Sequence, residues 1–209
     1  MNVYILLDRS GSMSTLWSEA LGSINNYVSK LKKKDKVYLA AFDDQYEIIR
    51  DCSAGDWKDV TNEDAQPRGM TALFDSCGKI MTTAEKADSR KTILVVMTDG
   101  HENASREHNQ ASIKAKVKEF EDKKWEVIFL GANFDAVDSV SGGLGLMASK
   151  SMNIAAGNLS RGFDTLSTYT TAYAATGASI NFTNEDKLQS VTTLKAATNV
   201  VPNDPLTGA

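Results

Sequence analysis

The sequence predicts a three-layer α/β fold: an open, mostly parallel sheet of about six strands with one antiparallel edge strand and helices on both faces. Three observations lead there. The runs Val3-Tyr4-Ile5-Leu6-Leu7 and Ile93-Leu94-Val95-Val96-Met97 are apolar without interruption, as strands buried on both faces must be. Such runs alternate with segments whose apolar residues recur every three or four positions, the pattern of helices covering a parallel sheet. Both apolar runs lead into a carboxylate, Asp8 and Asp99, at the strand end where open α/β sheets place their ligand sites.

Taken in order, the first strand runs into Asp8-Arg9-Ser10-Gly11-Ser12-Met13. Over 15–34, Leu16, Ala20, Ile24, Val28 and Leu31 share one helical face. Ser14 or Thr15 is the expected cap, and Lys30, Lys32, Lys33 and Lys34 sit where the helix dipole favours positive charge. Strands follow at 37–42 and 46–50, and the short polar turn between them admits only an antiparallel neighbour, which makes the third strand an edge. Residues 51–69 read as irregular apart from a turn near Trp57, ending in the loop Gln66-Pro67-Arg68-Gly69-Met70-Thr71. From Ala72 a helix turns Leu73, Cys77, Ile80, Met81 and Ala84 inward, and a central strand occupies 91–98. Ser105 is the expected cap of a helix that runs to about Lys124 through Ile113, Val117 and Phe120. A strand at 127–130, a short helix and glycine turn at 135–145, a weaker strand at 151–154 and a long helix at 158–175 complete the alternation. Beyond Gly177 the chain becomes rich in Thr, Asn and Ala; Thr183 with Asp186 can open one more short helix, and the final ten residues look frayed. The expected division is a domain at 1–176 and a C-terminal extension at 177–209 that is ordered in part at most.

The 209 residues suit one domain, and 42% apolar with 24% charged residues is the balance of a globular protein. A formal net charge of −4 gives no general attraction to nucleic acid or to an anionic membrane. No run approaches the roughly 20 apolar residues of a membrane span. Neither a basic start nor a cleavage site precedes the first strand, and Cys52 and Cys77 fit free thiols, so a cytoplasmic location is expected.

Chemistry concentrates at the strand ends. Alternate spacing lets Asp8, Ser10 and Ser12 aim one carboxylate and two hydroxyls at a single point, with Gly11 tightening the turn. These are hard oxygen donors, suited to Mg²⁺, Mn²⁺ or Ca²⁺ rather than Zn²⁺. A helix cap with a turn explains Asp-x-Ser equally well when it stands alone. The two most apolar strands should lie side by side, which brings Asp99 to the opposite lip of the crevice and puts Thr71 within reach of both. Five oxygens then leave a six-coordinate cation short of one strong ligand.

Together, Asp8-x-Ser10-x-Ser12, the loop Gly69-Met70-Thr71-Ala72-Leu73-Phe74-Asp75 and the strand end Thr98-Asp99-Gly100 resemble the three pieces of the metal-ion-dependent adhesion site (MIDAS) of von Willebrand factor A (vWA) domains. The resemblance spans about 2–175. The stretches Thr98-Asp99-Gly100-His101-Glu102-Asn103-Ala104-Ser105 and Gly131-Ala132-Asn133-Phe134-Asp135 resemble small stand-alone members of bacteria and their phages, some of them near stress or tellurium-resistance genes and some working beside an ATPase. The last thirty residues resemble nothing in that family. What the resemblance implies is a Rossmann-like vWA fold and a binding module rather than an enzyme. In such a module Ser10, Ser12 and Thr71 hold Mg²⁺ through hydroxyls, while Asp8 and Asp99 act mostly through water. A cation held by neutral donors stays electron-poor and binds an Asp or Glu of a partner protein.

Other readings are weaker on the residues. A magnesium-dependent phosphohydrolase of the haloacid dehalogenase type needs a general acid two residues after its nucleophile, and that place holds Ser10. A scaffold subunit without metal-bridged binding is the remaining alternative. His101 and His108 lack zinc-site spacing; at the rim, His101 and Glu102 read as surface residues before they read as determinants of partner choice. Gly142-Gly143-Leu144-Gly145 follows a helix, so it is no dinucleotide loop, and Trp17, Tyr27 and Cys77 read as core. Self-association through the tail, with Asp204 or the terminal carboxylate of Ala209 on a neighbour's metal, is a further expectation.

Overall fold

At the middle of the sheet lies β1 (Asn2–Asp8), flanked on both sides by parallel strands in a computed structural model that describes residues 1–87, 91–132 and 142–192. On one side come β2 (Lys36–Phe42) and the antiparallel edge strand β3 (Tyr46–Ser53); on the other, β4 (Thr92–Thr98), β5 (Glu126–Ala132) and β6 (Ser151–Ile154). The order among the described residues is β3-β2-β1-β4-β5-β6, so the chain reverses direction across the sheet between β1 and β4. Register aligns Asp8 with Phe42, Leu7 with Met97 and Thr98 with Gly131, which brings the carboxyl ends of four strands to one edge.

Period-two alternation divides β1 between two cores. Val3, Ile5 and Leu7 face the layer of α1 (Trp17–Ser29) and α4 (Leu159–Thr176), where Tyr27 packs on Phe163 with ring centroids 5.8 Å apart. Tyr4 and Leu6 face α2 (Leu73–Lys86) and α3 (Gln110–Asp122) through Leu73, Cys77, Ile80, Val117 and Phe120. The expected three-layer architecture and the antiparallel edge are present.

Differences from expectation fall mainly at element ends. Residues Gly11–Thr15 form a 3-10 turn, and Leu16, buried beside Met13, is the residue before α1. Ser14 therefore donates to the Gly11 carbonyl (2.7 Å) instead of capping the helix. The helix stops at Ser29, so Lys32, Lys33 and Lys34 lie beyond it, while Lys30 pairs with Asp164 of α4 (2.5 Å). Strand β3 continues three residues past Arg50, because an exposed edge tolerates Asp51 and Ser53 on its solvent side. Asn109, not Ser105, caps α3 in a reciprocal pair with Ser112. The expected helix at 135–145 lies mostly outside the described residues, as do the final ten residues, Asp204 and Ala209 among them.

Residues 177–192 pack onto the sheet rather than trailing away. Gly177, with φ of 78°, ends α4 in the left-handed region that glycine favours. Ile180 and Phe182 are buried with the α1/α4 core, and Phe182 meets Tyr169 edge-on at 5.6 Å. Lys150 and Glu126 form a buried ion pair beneath this segment; Lys150 also donates to Ser179 Oγ and the Ile180 carbonyl, each at 2.7 Å. Thr183 and Asp186 cap α5 (Asn184–Val191), which lies on β6. No helix among the described residues is long and apolar enough to cross a membrane.

Phe182→Ala should lower the unfolding free energy by about 3 kcal/mol, the usual cost of emptying an aromatic site in a core. Urea titration checks this, and an unchanged midpoint would mean that residues beyond α4 add nothing to the fold.

Candidate metal centre

The site forms where the sheet reverses, from loops that follow β1, precede α2 and follow β4. Asp8 has no solvent exposure. Its Oδ1 accepts the Ser10 backbone N–H (2.7 Å) and its Oδ2 accepts the Thr98 hydroxyl (2.6 Å), which turns the carboxylate toward the crevice. Ser10 and Ser12 share a hydrogen bond between hydroxyls (3.1 Å), and Ser12 donates to Asp99 Oδ1 (2.7 Å). Thr71 is buried, and its hydroxyl makes no hydrogen bond to another described residue.

Gly100 locates the convergence. A Cβ placed there would lie 3.3 Å from Thr71 Oγ1 and 3.8 Å from both Asp8 Oδ2 and Ser12 Oγ. Three oxygens from two loops thus face one small space that a glycine of the third loop leaves free. With Ser10 joined to Ser12 and Asp99 joined to Ser12, all five residues singled out in the sequence fall into one oxygen cluster. Ser12 is exposed and Asp99 half-buried, so the cluster opens to solvent on that side.

The electrostatics favour a cation. Burial raises the Asp8 carboxyl from 3.8 to about 6, against the lowering effect of the Thr98 and Ser10 hydrogen bonds, and the charge of Asp99 raises it further. Burial raises Asp99 as well, with the Ser12 hydrogen bond opposing it. Two carboxylates that lose solvation near one another are the setting in which a bound cation gains most. Among the described residues no group of three His, Cys, Asp or Glu comes together as a metal cluster, so a cation at this place depends on the hydroxyls. Hydroxyl and carboxylate donors fit Mg²⁺, Mn²⁺ or Ca²⁺.

Several supporting residues were not legible in the sequence. Asn103 brackets Thr71, accepting its N–H on Oδ1 (2.9 Å) and donating its own N–H to the Thr71 carbonyl (3.0 Å). Glu102 accepts the N–H groups of Phe74, Ala104 and Ser105, so it caps the start of α2 and ties up the following loop instead of reading a partner. Asp75 returns the favour, accepting the N–H groups of Arg106, Glu107 and His108. Ser105, the expected cap of α3, instead accepts the Asp75 N–H (3.0 Å). On the other flank, Arg9 donates to Glu47 (2.7 Å) and holds that carboxyl well below the usual range, at about 2. A cleft of about 570 Å³ borders the cluster through Met70 and Asn103 and runs between Asp44, Lys79 and Arg106.

The sequence model of the von Willebrand factor type A domain matches residues 2–162. Among solved structures, a von Willebrand factor type A protein from Catenulispora acidiphila superposes with a TM-score of 0.59 at 15% identity, over 81% of this chain and 42% of that one. The vWF domain of a type V pili tip protein from Porphyromonas gingivalis gives 0.64 at 11% identity, over 82% and 95%. Proximal thread matrix protein 1 from the mussel byssus, described with a zinc-occupied MIDAS motif, gives 0.63 at 12% identity, over 79% and 44%. The chain thus spans less than half the length of the Catenulispora and mussel proteins. At these identities the likeness is one of fold. No curated protein gives a significant sequence match.

Asp8 provides a test that needs no partner. A carboxyl raised from 3.8 to about 6 in the folded state costs nothing at low pH and its full penalty once pH exceeds about 6. In EDTA, Asp8→Asn should therefore gain stability over wild type as pH rises through that window, with the gap constant above it. Thermal melts across pH 4–8 check this, and a gap that ignores pH would contradict it.

Proposed function

Because the chain belongs to the von Willebrand factor type A domain family, we propose that it is a protein-interaction module whose metal-ion-dependent adhesion site recognises an acidic side chain of a partner protein. In this reading Ser10, Ser12 and Thr71 hold Mg²⁺ through their hydroxyls, while Asp8 and Asp99 act mostly through water. Mn²⁺ or Ca²⁺ can substitute. The observation that carries the reading is the convergence of Thr71 Oγ1, Asp8 Oδ2 and Ser12 Oγ beside Gly100.

When bound, the cation supplies an electron-poor centre for one carboxylate oxygen. The protein's own groups prepare that contact. By donating to Asp99, Ser12 spends its proton and keeps oxygen lone pairs for a cation. Thr98 donates to Asp8 Oδ2 and so steadies the buried carboxylate beside the hydroxyls. Exposed Ser12 and half-buried Asp99 leave one side open, and the cleft beside Met70 and Asn103 gives room for the chain around the partner's acidic residue. Nothing in this chemistry requires bond making or breaking, so the module acts by binding and not as an enzyme. We place it in the cytoplasm, on the free thiols of half-buried Cys52 and buried Cys77. We assign 1–176 to the family domain and 177–209 to an extension whose first part is clamped to β6.

Affinity capture from lysate, in Mg²⁺ against EDTA and with wild type against Thr71→Ala, tests the proposal. A partner retained at least about tenfold better by wild type in Mg²⁺ is the expected result, since losing even a residue that supports a ligand costs about 10–100-fold in metal sites. A partner that ignores both changes would contradict it and favour a scaffold role.

A further inference from the structure

We propose that Arg9, with Asp43, Glu47 and Arg68, forms a positioning clamp that sets the spacing between the Asp8 loop and the Thr71 loop, and so the affinity of the site for its cation. The inference rests on the metal-binding reading above and assigns a role to residues outside the adhesion motif.

Arg9 stands between two motif residues, yet its side chain turns away from the crevice and is only 2% exposed. Its Nη1 donates to Glu47 Oε2 (2.7 Å), and its Nε lies 3.3 Å from Asp43 Oδ2 as an ion pair without hydrogen-bond alignment. The Nη2 is buried and has no hydrogen-bond partner among the described residues. Asp43, fully buried, accepts Arg68 Nε (2.8 Å), and Arg68 Nη2 donates to Glu47 Oε1 (2.7 Å). Two arginines and two carboxylates therefore alternate in a closed ring with no net charge.

Backbone bonds run beside the ring between the same segments. Arg9 donates its N–H to the Phe42 carbonyl (2.7 Å), and Arg68 donates to the Arg9 carbonyl (2.7 Å). Gly11 donates to Gly69 (3.3 Å), and Ala72 to the carbonyl of Asp43 (2.9 Å). Arg9 is thus one residue from Ser10, and Arg68 three from Thr71. The clamp spans the gap across which two cation-binding hydroxyls must meet.

Energetics argue that the ring does not exist for stability. A buried guanidinium with misaligned and unpaired N–H groups loses solvation that its partners return only in part; replacing such ion pairs by apolar groups is often neutral or stabilising, provided no buried charge is left without a partner. Arg9→Met keeps much of the volume. Asp43 still holds Arg68 and the Gln45 N–H, and Glu47 is 43% exposed and can turn to water. A purely structural ring would leave cation affinity untouched by this change.

Calorimetric titration with MgCl₂, paired with thermal melts in EDTA, separates the cases. Arg9→Met is expected to melt in EDTA at or above the wild-type temperature yet bind Mg²⁺ about tenfold more weakly, as loss of support behind a metal ligand commonly does. Arg9→Lys, which can keep one carboxylate contact but not the fork, should recover part of that loss. Glu47→Gln, on an edge strand outside the core, should weaken binding in the same direction and decides the matter if Arg9→Met fails to fold. Wild-type affinity in both Arg9→Met and Glu47→Gln would overturn the clamp while leaving the metal reading intact. A wild-type protein that binds no Mg²⁺ would overturn the metal reading, and the clamp with it.

Discussion

A carboxylate buried without solvent exposure at the point where the strand order reverses is the constraint around which this molecule is arranged. Asp8 reaches that place because β1 is apolar on both faces and must lie between β2 and β4, so its last residue emerges inside the crevice. Left alone there, an ionised carboxylate is costly. The Ser10 N–H and the Thr98 hydroxyl offset part of the cost, and the raised pKa reports the part they leave. A cation is the natural complement of what remains.

Around this carboxylate the loops are joined to one another as well as to the sheet beneath them. Thr71 is bracketed by Asn103, the start of α2 is capped by Glu102 and Ser105, and the loop before α3 is held by Asp75. The helix N-terminus that normally receives its cap from a neighbouring residue receives it here from a loop about thirty residues away in sequence. Such exchange couples the position of Thr71 to that of the Asp99 loop. On the opposite flank the four-charge ring does the same between the Asp8 and Thr71 loops. Donor placement is consequently a property of the three loops together.

Legibility in the sequence followed the range of the interactions. Strands and inward helix faces were readable because period and apolarity act locally: the 151–154 strand and the Thr183–Asp186 cap appear where expected. The five oxygen residues stand out in the sequence because each lies beside the end of a recognisable element, and the fold brings them together. Caps differ from expectation where a remote partner or a tight turn takes the expected residue. Ser105 looked like the cap of α3 but serves α2, and Ser14 was drawn into the tight turn set by buried Met13 and Leu16. Arg9 gave no warning either, since a charged residue in a polar loop normally points to solvent. Its burial follows from Asp43 and Glu47, carboxylates whose register on the β2–β3 hairpin only the fold supplies. Residues 177–182 looked like the start of a tail because two apolar residues, Ile180 and Phe182, are too few to show a period.

Crystals grown in MnCl₂ and measured at the manganese absorption edge would show whether a cation sits in the crevice beside Asp8. One anomalous peak is expected within bonding distance of the hydroxyls of Ser10, Ser12 and Thr71, beside Gly100 and next to Asp8 and Asp99. A well-ordered site with no peak there, or with manganese bound only elsewhere, would contradict it.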